Sequence, residues 1–309
     1  MRSVKSLKDD MKLSVVIPTH NNLESLKRCI ESWRVIQDTD YELLIIEDGC
    51  TDGTADWLKS NTDGEQVRWF HEDDVYETLS DNRGMRESRG EYILIWQDDM
   101  YIQHPKAMSW PLGMLGHYPE ISVLGLKRGV IVLPMTRLTG MADPTTDANF
   151  ASFYPKYSHY TRFSSPIHFA ELHGCVRPWI IQRRWLDEVG LLDEVFAPFN
   201  WDEIDLHLRI RSKGGRIMTI PCEQMRLYQH IGSLSTSRHN QDWYYGVILR
   251  NAAIVHKRWD SATRTLEVPL LRAMRTVNLK AVRENIIFFY LYFLSLIPRW
   301  IIRGFPAHW

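Results

Sequence analysis

The sequence predicts an α/β domain with a mostly parallel central sheet flanked by helices, followed by a helical C-terminal extension. Short, bulky apolar runs at Leu13 to Pro18, Tyr41 to Ile46 and Tyr92 to Trp96 read as strands buried on both faces. Helical spacing fills the stretches between them, and strands that alternate with helices imply parallel pairing through right-handed crossovers. Carboxylates close two of the runs, Asp48 after the second and Asp98 with Asp99 after the third. Parallel strands place those ends on one sheet edge, where open α/β sheets bind ligands.

A chain of 309 residues with 44% hydrophobic and 12% aromatic content can build one large core or two small ones. Its formal net charge of -1 gives no reason to expect nucleic-acid binding. Cys29, Cys50, Cys175 and Cys222 are widely spaced with no CxxC pair. This argues against a structural zinc or a disulfide framework and for a reducing compartment. The start, MRSVKSLKDDMK, has no apolar secretory core. The expected location is therefore cytoplasmic.

Taken in order, LSVVIP is followed by the polar turn THNN, and then by Leu26, Cys29, Ile30 and Trp33 at helical spacing. YELLII ends in Glu47, Asp48 and Gly49, and CTDGTADWLK offers Thr51 or Asp52 as a helix N-cap. Gly49 and Gly53 permit a tight turn with close backbone approach. Val67 to Phe70 is a third strand candidate, Asn82 to Arg89 a third helix, and the β-branched stretch Ile121 to Leu133 supplies further strands. Ile204, Leu206, Leu208 and Ile210 pair four apart as on a helix that Gly214 and Gly215 would end, and they also alternate as in a strand. Trp243 to Arg258 reads as a helix.

The tail contains an almost wholly apolar run of 12 residues, Ile286 to Ile297, preceded by Arg272, Arg275, Lys280 and Arg283. That is short of the ~20 residues a spanning helix needs. An interfacial helix on an anionic leaflet, a helix packed on the rest of the chain, and a dimer contact are the alternatives.

Asp98 and Asp99 repel each other unless a positive charge lies beside them. A solvated turn would relieve this, and so would Mg²⁺ or Mn²⁺ carrying a phosphorylated ligand, since hard cations take oxygen donors. Three stretches favour the second reading: VVIPTHNN, IIEDGCTDGT and NRGMRESRGEYILIWQDD. In this order and spacing they resemble the nucleotide-sugar-binding half of family 2 glycosyltransferases of the GT-A fold, a Rossmann-like architecture. A later block is similar to that family's second half: Gly174, Gly190, Asp193, Glu194, Trp201, Asp202, Glu203, Asp205 and Arg209 match its pattern. The resemblance covers about residues 12 to 258.

The resemblance implies a catalytic domain over 1–258, with 12–101 binding the nucleotide sugar and 102–258 carrying acceptor and catalytic groups, and an extension over 259–309. Pro18, Thr19 and Asn21 would lie against the nucleoside, Glu47 and Asp48 near the base, and Asp98 on the ribose or diphosphate side. Asp99, with His230 from a Tyr228 to Ser233 stretch similar to the family's H-x-G-S signature, would hold Mn²⁺ or Mg²⁺. Glu203 or Asp202 would be the general base, since one carboxylate must accept the proton of the attacking hydroxyl. The acids of this pair also suit the first turn of a helix on electrostatic grounds alone.

The chain departs from the family pattern at Gln97, where the metal motif begins with Asp, and at Glu47, which replaces the first Asp of DDGS. It departs again at Asp81, which stands where the family has Arg and removes a phosphate-side cation. The stretch from Thr136 to Arg162 carries Phe150, Phe153, Tyr154, Tyr157 and Tyr160. Sugars stack their C–H faces on such rings, so Tyr154, Tyr157 and Trp201 are acceptor-side candidates, an ordinary packed connection being the alternative.

The expected activity is transfer of a sugar from a UDP-, dTDP- or GDP-linked donor to a hydroxyl of a glycan or lipid-linked acceptor, with inversion by single displacement. One rival is a nucleotide-sugar-binding protein without turnover, suggested by Gln97 and Asp81. The other is a nucleotidyltransferase-like enzyme, disfavoured by the missing glycine-rich phosphate loop.

Overall fold

The computed structural model describes residues 12–132, 162–165, 172–232 and 241–265. The chain divides into two compact units, Met1–Val268 and Pro269–Trp309. All of the second unit, and with it the apolar tail run, lies outside the described residues.

A seven-stranded sheet is the frame. Its strands in chain order are β1 (Lys12–Thr19), β2 (Asp40–Asp48), β3 (Val67–Glu72), β4 (Tyr92–Ile95), β6 (Ile121–Gly125), β10 (Trp179–Gln182) and β11 (Arg216–Thr219). Across the sheet they run β11-β6-β10-β4-β1-β2-β3. β1, β2, β3 and β4 pair in parallel, and β10 lies antiparallel between β4 and β6. The expected mostly parallel α/β architecture is therefore present.

Alternate residues of the buried strands serve opposite faces. Leu13, Val15 and Ile17 join Leu43, Ile45 and Leu94 under α1 (Leu23–Trp33) and α4 (Ser109–His117). On the opposite face Val16, Leu44, Ile46, Ile93 and Ile95 pack with Met85 of α3 (Tyr76–Glu87), Leu186 of α5 (Arg183–Val189), and Leu206 and Ile210 of α6 (Asp202–Ser212). A third cluster joins Ile204 and Leu208 of α6 to Ala252 and Val255 of α7 (Gln241–Thr265).

Two local expectations need correction. The helix expected at Asn82 begins at Tyr76, because its buried side is polar: Thr78, Ser80, Asp81 and Asn82 are all buried. Hydrophobic periodicity is blind to such a face. The N-cap of α2 (Thr54–Asn61) is Gly53, at φ 88°, rather than Thr51 or Asp52. Asp52 still serves that end, accepting from the Thr54 amide at 3.1 Å and hydroxyl at 2.6 Å, and it also takes the Leu23 amide at the start of α1 at 2.9 Å. The 204–210 segment is helical, and Gly214 follows it at φ 88°.

Smaller strands complete the edge. β5 (Met100–Ile102) pairs antiparallel with β12 (Tyr228–His230), setting His230 opposite Met100. β7 (Gly129–Val132) pairs with β8 (Arg162–Ser165) and β9 (Gly174–Cys175). Of the aromatic stretch 136–162 only residue 162 is described, so Tyr154 and Tyr157 lie outside the described residues. All four cysteines are free thiols.

Candidate active site

The ends of β1, β2 and β4 carry the first group of residues. Thr19 ends β1 and donates its hydroxyl to Asp98 at 2.7 Å, linking the first strand's end to the turn after β4. Burial pushes the Asp98 carboxyl up to about 7, with the Asp99 charge adding to the shift and the Thr19 bond opposing it. Pro18 is half-buried beside Thr19. Asn21, at φ 49°, accepts the Thr51 amide at 2.7 Å and so joins the turns after β1 and β2.

Asp48 accepts from the Val75 amide at 2.6 Å and the Tyr76 amide at 3.0 Å, holding the start of α3 to the end of β2. Gly49 has φ 62°, and a Cβ there would meet the Asp74 backbone nitrogen at 2.9 Å, so the close approach requires glycine. Glu47, expected on the donor side, is fully buried. Its carboxylate takes the Cys50 amide and the His71 Nδ1, which makes it a brace of the turn rather than a surface for a ligand.

Asp99 lies 3.4 Å from Nε2 of His230, so the structure brings the two expected metal residues together. That separation suits two ligands of one hard cation, whose ligand bonds are about 2.0–2.2 Å. On its other side His230 meets Lys127, Nζ to Nδ1 2.6 Å. Nδ1 of His230 is thus engaged by Lys127 while Nε2 faces Asp99. His20, Asp48 and Asp74 form another group whose ligand atoms lie within 4.8 Å of one another, although His20 already bonds the Asp48 carbonyl at 2.5 Å and Asn21 at 2.8 Å.

The second group of residues centres on Arg177, two residues before β10. Trp179 pairs with Ile95 at the end of β4, which puts Arg177 on the same sheet edge as Asp98 and Asp99. Its guanidinium donates to Asp81 at 2.7 and 3.0 Å and to Asp202 at 3.0 Å. It also contacts Glu203 and stands 3.3 Å from Glu77. The guanidinium that pairs with Asp81 comes from 96 positions along the chain. Burial and the neighbouring carboxylates push Asp81 up to about 7, against the pull of Arg177.

The carboxylate pair divides by environment. Asp202 is 0% exposed; its Oδ1 takes the Glu203 amide at 2.9 Å, and its Oδ2 takes the Thr78 hydroxyl at 2.9 Å as well as Arg177. Glu203 is 4% exposed, one methylene longer, and held by Arg177. Asp202 is thus bonded at both carboxylate oxygens, while Glu203 is held through Oε2. Trp201 does not meet its acceptor-side expectation: it is 1% exposed, and its ring packs edge-on against His256 of α7.

Residues 14–107 match the family model described as Glycosyl transferase family 2. Over this stretch, about 30% of the chain, the sequence is similar to that family. An uncharacterized glycosyltransferase of Rickettsia felis is 30% identical over 100 residues, covering 32% of this chain and 17% of the relative. The poly(ribitol-phosphate) beta-N-acetylglucosaminyltransferase TarP of Staphylococcus aureus is 31% identical over 101 residues, 31% of each chain. The chain thus spans only about a sixth of the length of the first relatives it matches. Among solved structures, the mannosyltransferase PcManGT of Pyrobaculum calidifontis, in complex with GDP-Man and Mn2+, is similar with a TM-score of 0.52 at 13% identity, over 95% of this chain and 83% of that one. That likeness is one of fold and reaches beyond residues 14–107. Sequence reasoning missed Arg177, Thr78 and Lys127, whose partners are distant in the chain and follow no local motif.

Proposed function

We propose that this protein transfers a sugar from a nucleotide diphosphate donor to a hydroxyl of a glycan or lipid-linked acceptor, by single displacement with inversion. The observation that carries the reading is the meeting, on one sheet edge, of the Asp98, Asp99 and His230 group with the Glu203, Asp202 and Arg177 group. Both halves of a transfer reaction need such a pair of sites: one for the leaving diphosphate, one for the incoming hydroxyl.

Glu203 accepts the proton of the acceptor hydroxyl as its oxygen bonds to the anomeric carbon, while the bond from that carbon to the diphosphate oxygen breaks. Arg177 and Asp202 fix the approach of Glu203. Asp99 and His230 would hold Mn²⁺ or Mg²⁺, which when bound supplies positive charge to the leaving diphosphate. Thr19 and Asp98 bound the ribose side, and Asn21 and Asp48 the base side.

The first test is calorimetric titration of the protein with UDP, dTDP and GDP, each with Mn²⁺ and with a chelator. Metal-dependent binding of one of them is the expected result; binding of none would sink the donor site. Asp99→Ala should remove the metal dependence. Glu203→Gln should keep nucleotide affinity within about twofold and lower transfer by about 10²- to 10⁴-fold, as loss of a general base does. If Asp202→Asn does this instead, the base is Asp202. Metal-dependent nucleotide binding with no turnover toward any acceptor would favour the binding protein.

A further inference from the structure

Trp201 is buried, yet other aromatic rings are tied through hydrogen bonds to the elements that carry Glu203 and Asp202, and they come from three separate elements. Tyr76 begins α3, Phe199 lies in the turn before α6, and Trp243 and Tyr244 lie near the start of α7. Trp243 is 5.8 Å from Tyr76 and 5.5 Å from Phe199 between ring centres, and Phe199 stacks on Tyr244 at 5.3 Å. Burying aromatic rings is the usual way to use them, but Trp243 is 36% exposed, and Tyr76, Phe199 and Tyr244 are only partly covered.

These rings are tied to the carboxylates by short bonded paths. The Thr78 amide donates to the Pro198 carbonyl at 3.1 Å while the Thr78 hydroxyl holds Asp202, so α3 fixes both the ring-bearing turn and that carboxylate. Asn251 of α7 donates its side-chain amide to the carbonyls of Phe196, Phe199 and Asn200 at 2.7, 2.8 and 3.0 Å, joining α7 to the same turn. Tyr76, Asn200 and Trp201 all have positive φ, 70°, 73° and 70°, a conformation costly for residues with a Cβ and kept only where surroundings enforce it.

We infer that Tyr76, Phe199 and Trp243 form the platform on which a pyranose ring of the acceptor stacks, presenting its hydroxyl to Glu203. The chemistry selects this occupant. One face of a pyranose is a patch of C–H bonds that covers aromatic carbon, while its rim of hydroxyls needs charged or carbonyl partners, such as the Glu203 carboxylate. An extended lipid chain would use the rings but not the carboxylates. The inference deepens the transferase reading and rests on it, since Glu203 gives the platform its purpose.

Saturation-transfer NMR with methyl β-D-glucopyranoside and methyl N-acetyl-β-D-glucosaminide as probes tests it. Transfer to the ring C–H protons is expected with the full chain. It should weaken by about fivefold or more in Trp243→Ala and in Phe199→Leu, which keeps an apolar side chain but removes the ring, and persist in Trp243→Phe. Thermal melting should show all three variants folded. Transfer from neither probe, or transfer unchanged in Trp243→Ala, overturns the platform. Nucleotide calorimetry on the same samples separates the two readings. Nucleotide binding without sugar binding removes the platform alone, and sugar binding without nucleotide binding removes the donor site alone.

Discussion

Asp81 shows how a residue that looks like a defect in sequence becomes a design constraint in space. Four carboxylates, those of Glu77, Asp81, Asp202 and Glu203, surround the single guanidinium of Arg177. One positive charge cannot balance them in a buried site, and the proton that Asp81 retains up to about pH 7 relieves the excess. The sign of the pH effect follows from linkage. The carboxyl is raised from 3.8 to about 7 on folding, so the folded chain binds the proton more strongly than the unfolded chain does. Its contribution to stability is full at the acid end and is lost as pH rises through that window, with a slope of at most about 1.4 kcal/mol per pH unit. Asp81→Asn, which imitates the protonated acid, should flatten this dependence in denaturant melts between pH 5 and 7. An unchanged slope would remove Asp81 as the proton's holder. The residue-scale features that sequence made legible, Asp48, Asp98, Asp99 and Glu203, sit at strand or helix ends marked by local pattern. Arg177 was not legible, because its role exists only across 96 and 25 positions of chain.

The elements differ in how much of them could be read ahead. β1, β2 and β4 were legible because apolar side chains on both faces leave no other economical burial. The first turn and a half of α3 was not, since Thr78, Asp81 and Asn82 are buried for their bonds, Asn82 to both the amide and the carbonyl of Leu192 at 3.0 and 2.9 Å. The same helix packs so close to the sheet that a Cβ on Gly84 would lie 2.2 Å from Val16 Cγ1. Gly84→Ala should therefore destabilise the protein by about 1–3 kcal/mol, as overpacking does, despite the better helix propensity of alanine. A gain in stability would mean that α3 can slide. The Asp205 and Arg209 positions of the second motif also work at this scale. Arg209 holds Asp205 at 2.8 Å, and Asp205 receives the Trp259 indole of α7 at 2.9 Å. They lock α6 to α7, which explains a motif wider than its chemistry.

At the scale of the whole molecule, every donor-side and metal-side residue discussed lies in the unit Met1–Val268, and the apolar run Ile286 to Ile297 lies in the unit Pro269–Trp309. No helix among the described residues is long and apolar enough to cross a membrane. We propose that the tail run, which lies outside the described residues, rests on an anionic lipid surface and brings the enzyme to a lipid-linked acceptor. The physical case is its almost wholly apolar run of 12 residues following Arg272, Arg275, Lys280 and Arg283, since apolar burial and attraction to anionic lipid add. Ending the chain after Arg283 separates the two contributions, because the basic residues stay and the apolar run goes. The full chain should sediment with anionic liposomes and retain part of that binding at high salt, where screening weakens charge attraction. The shortened chain should bind weakly at low salt and not at all at high salt, with metal-dependent nucleotide affinity within about twofold of the full chain. Equal sedimentation of both forms would exclude the apolar run as the membrane contact. Loss of nucleotide binding would show instead that the tail supports the unit Met1–Val268 itself.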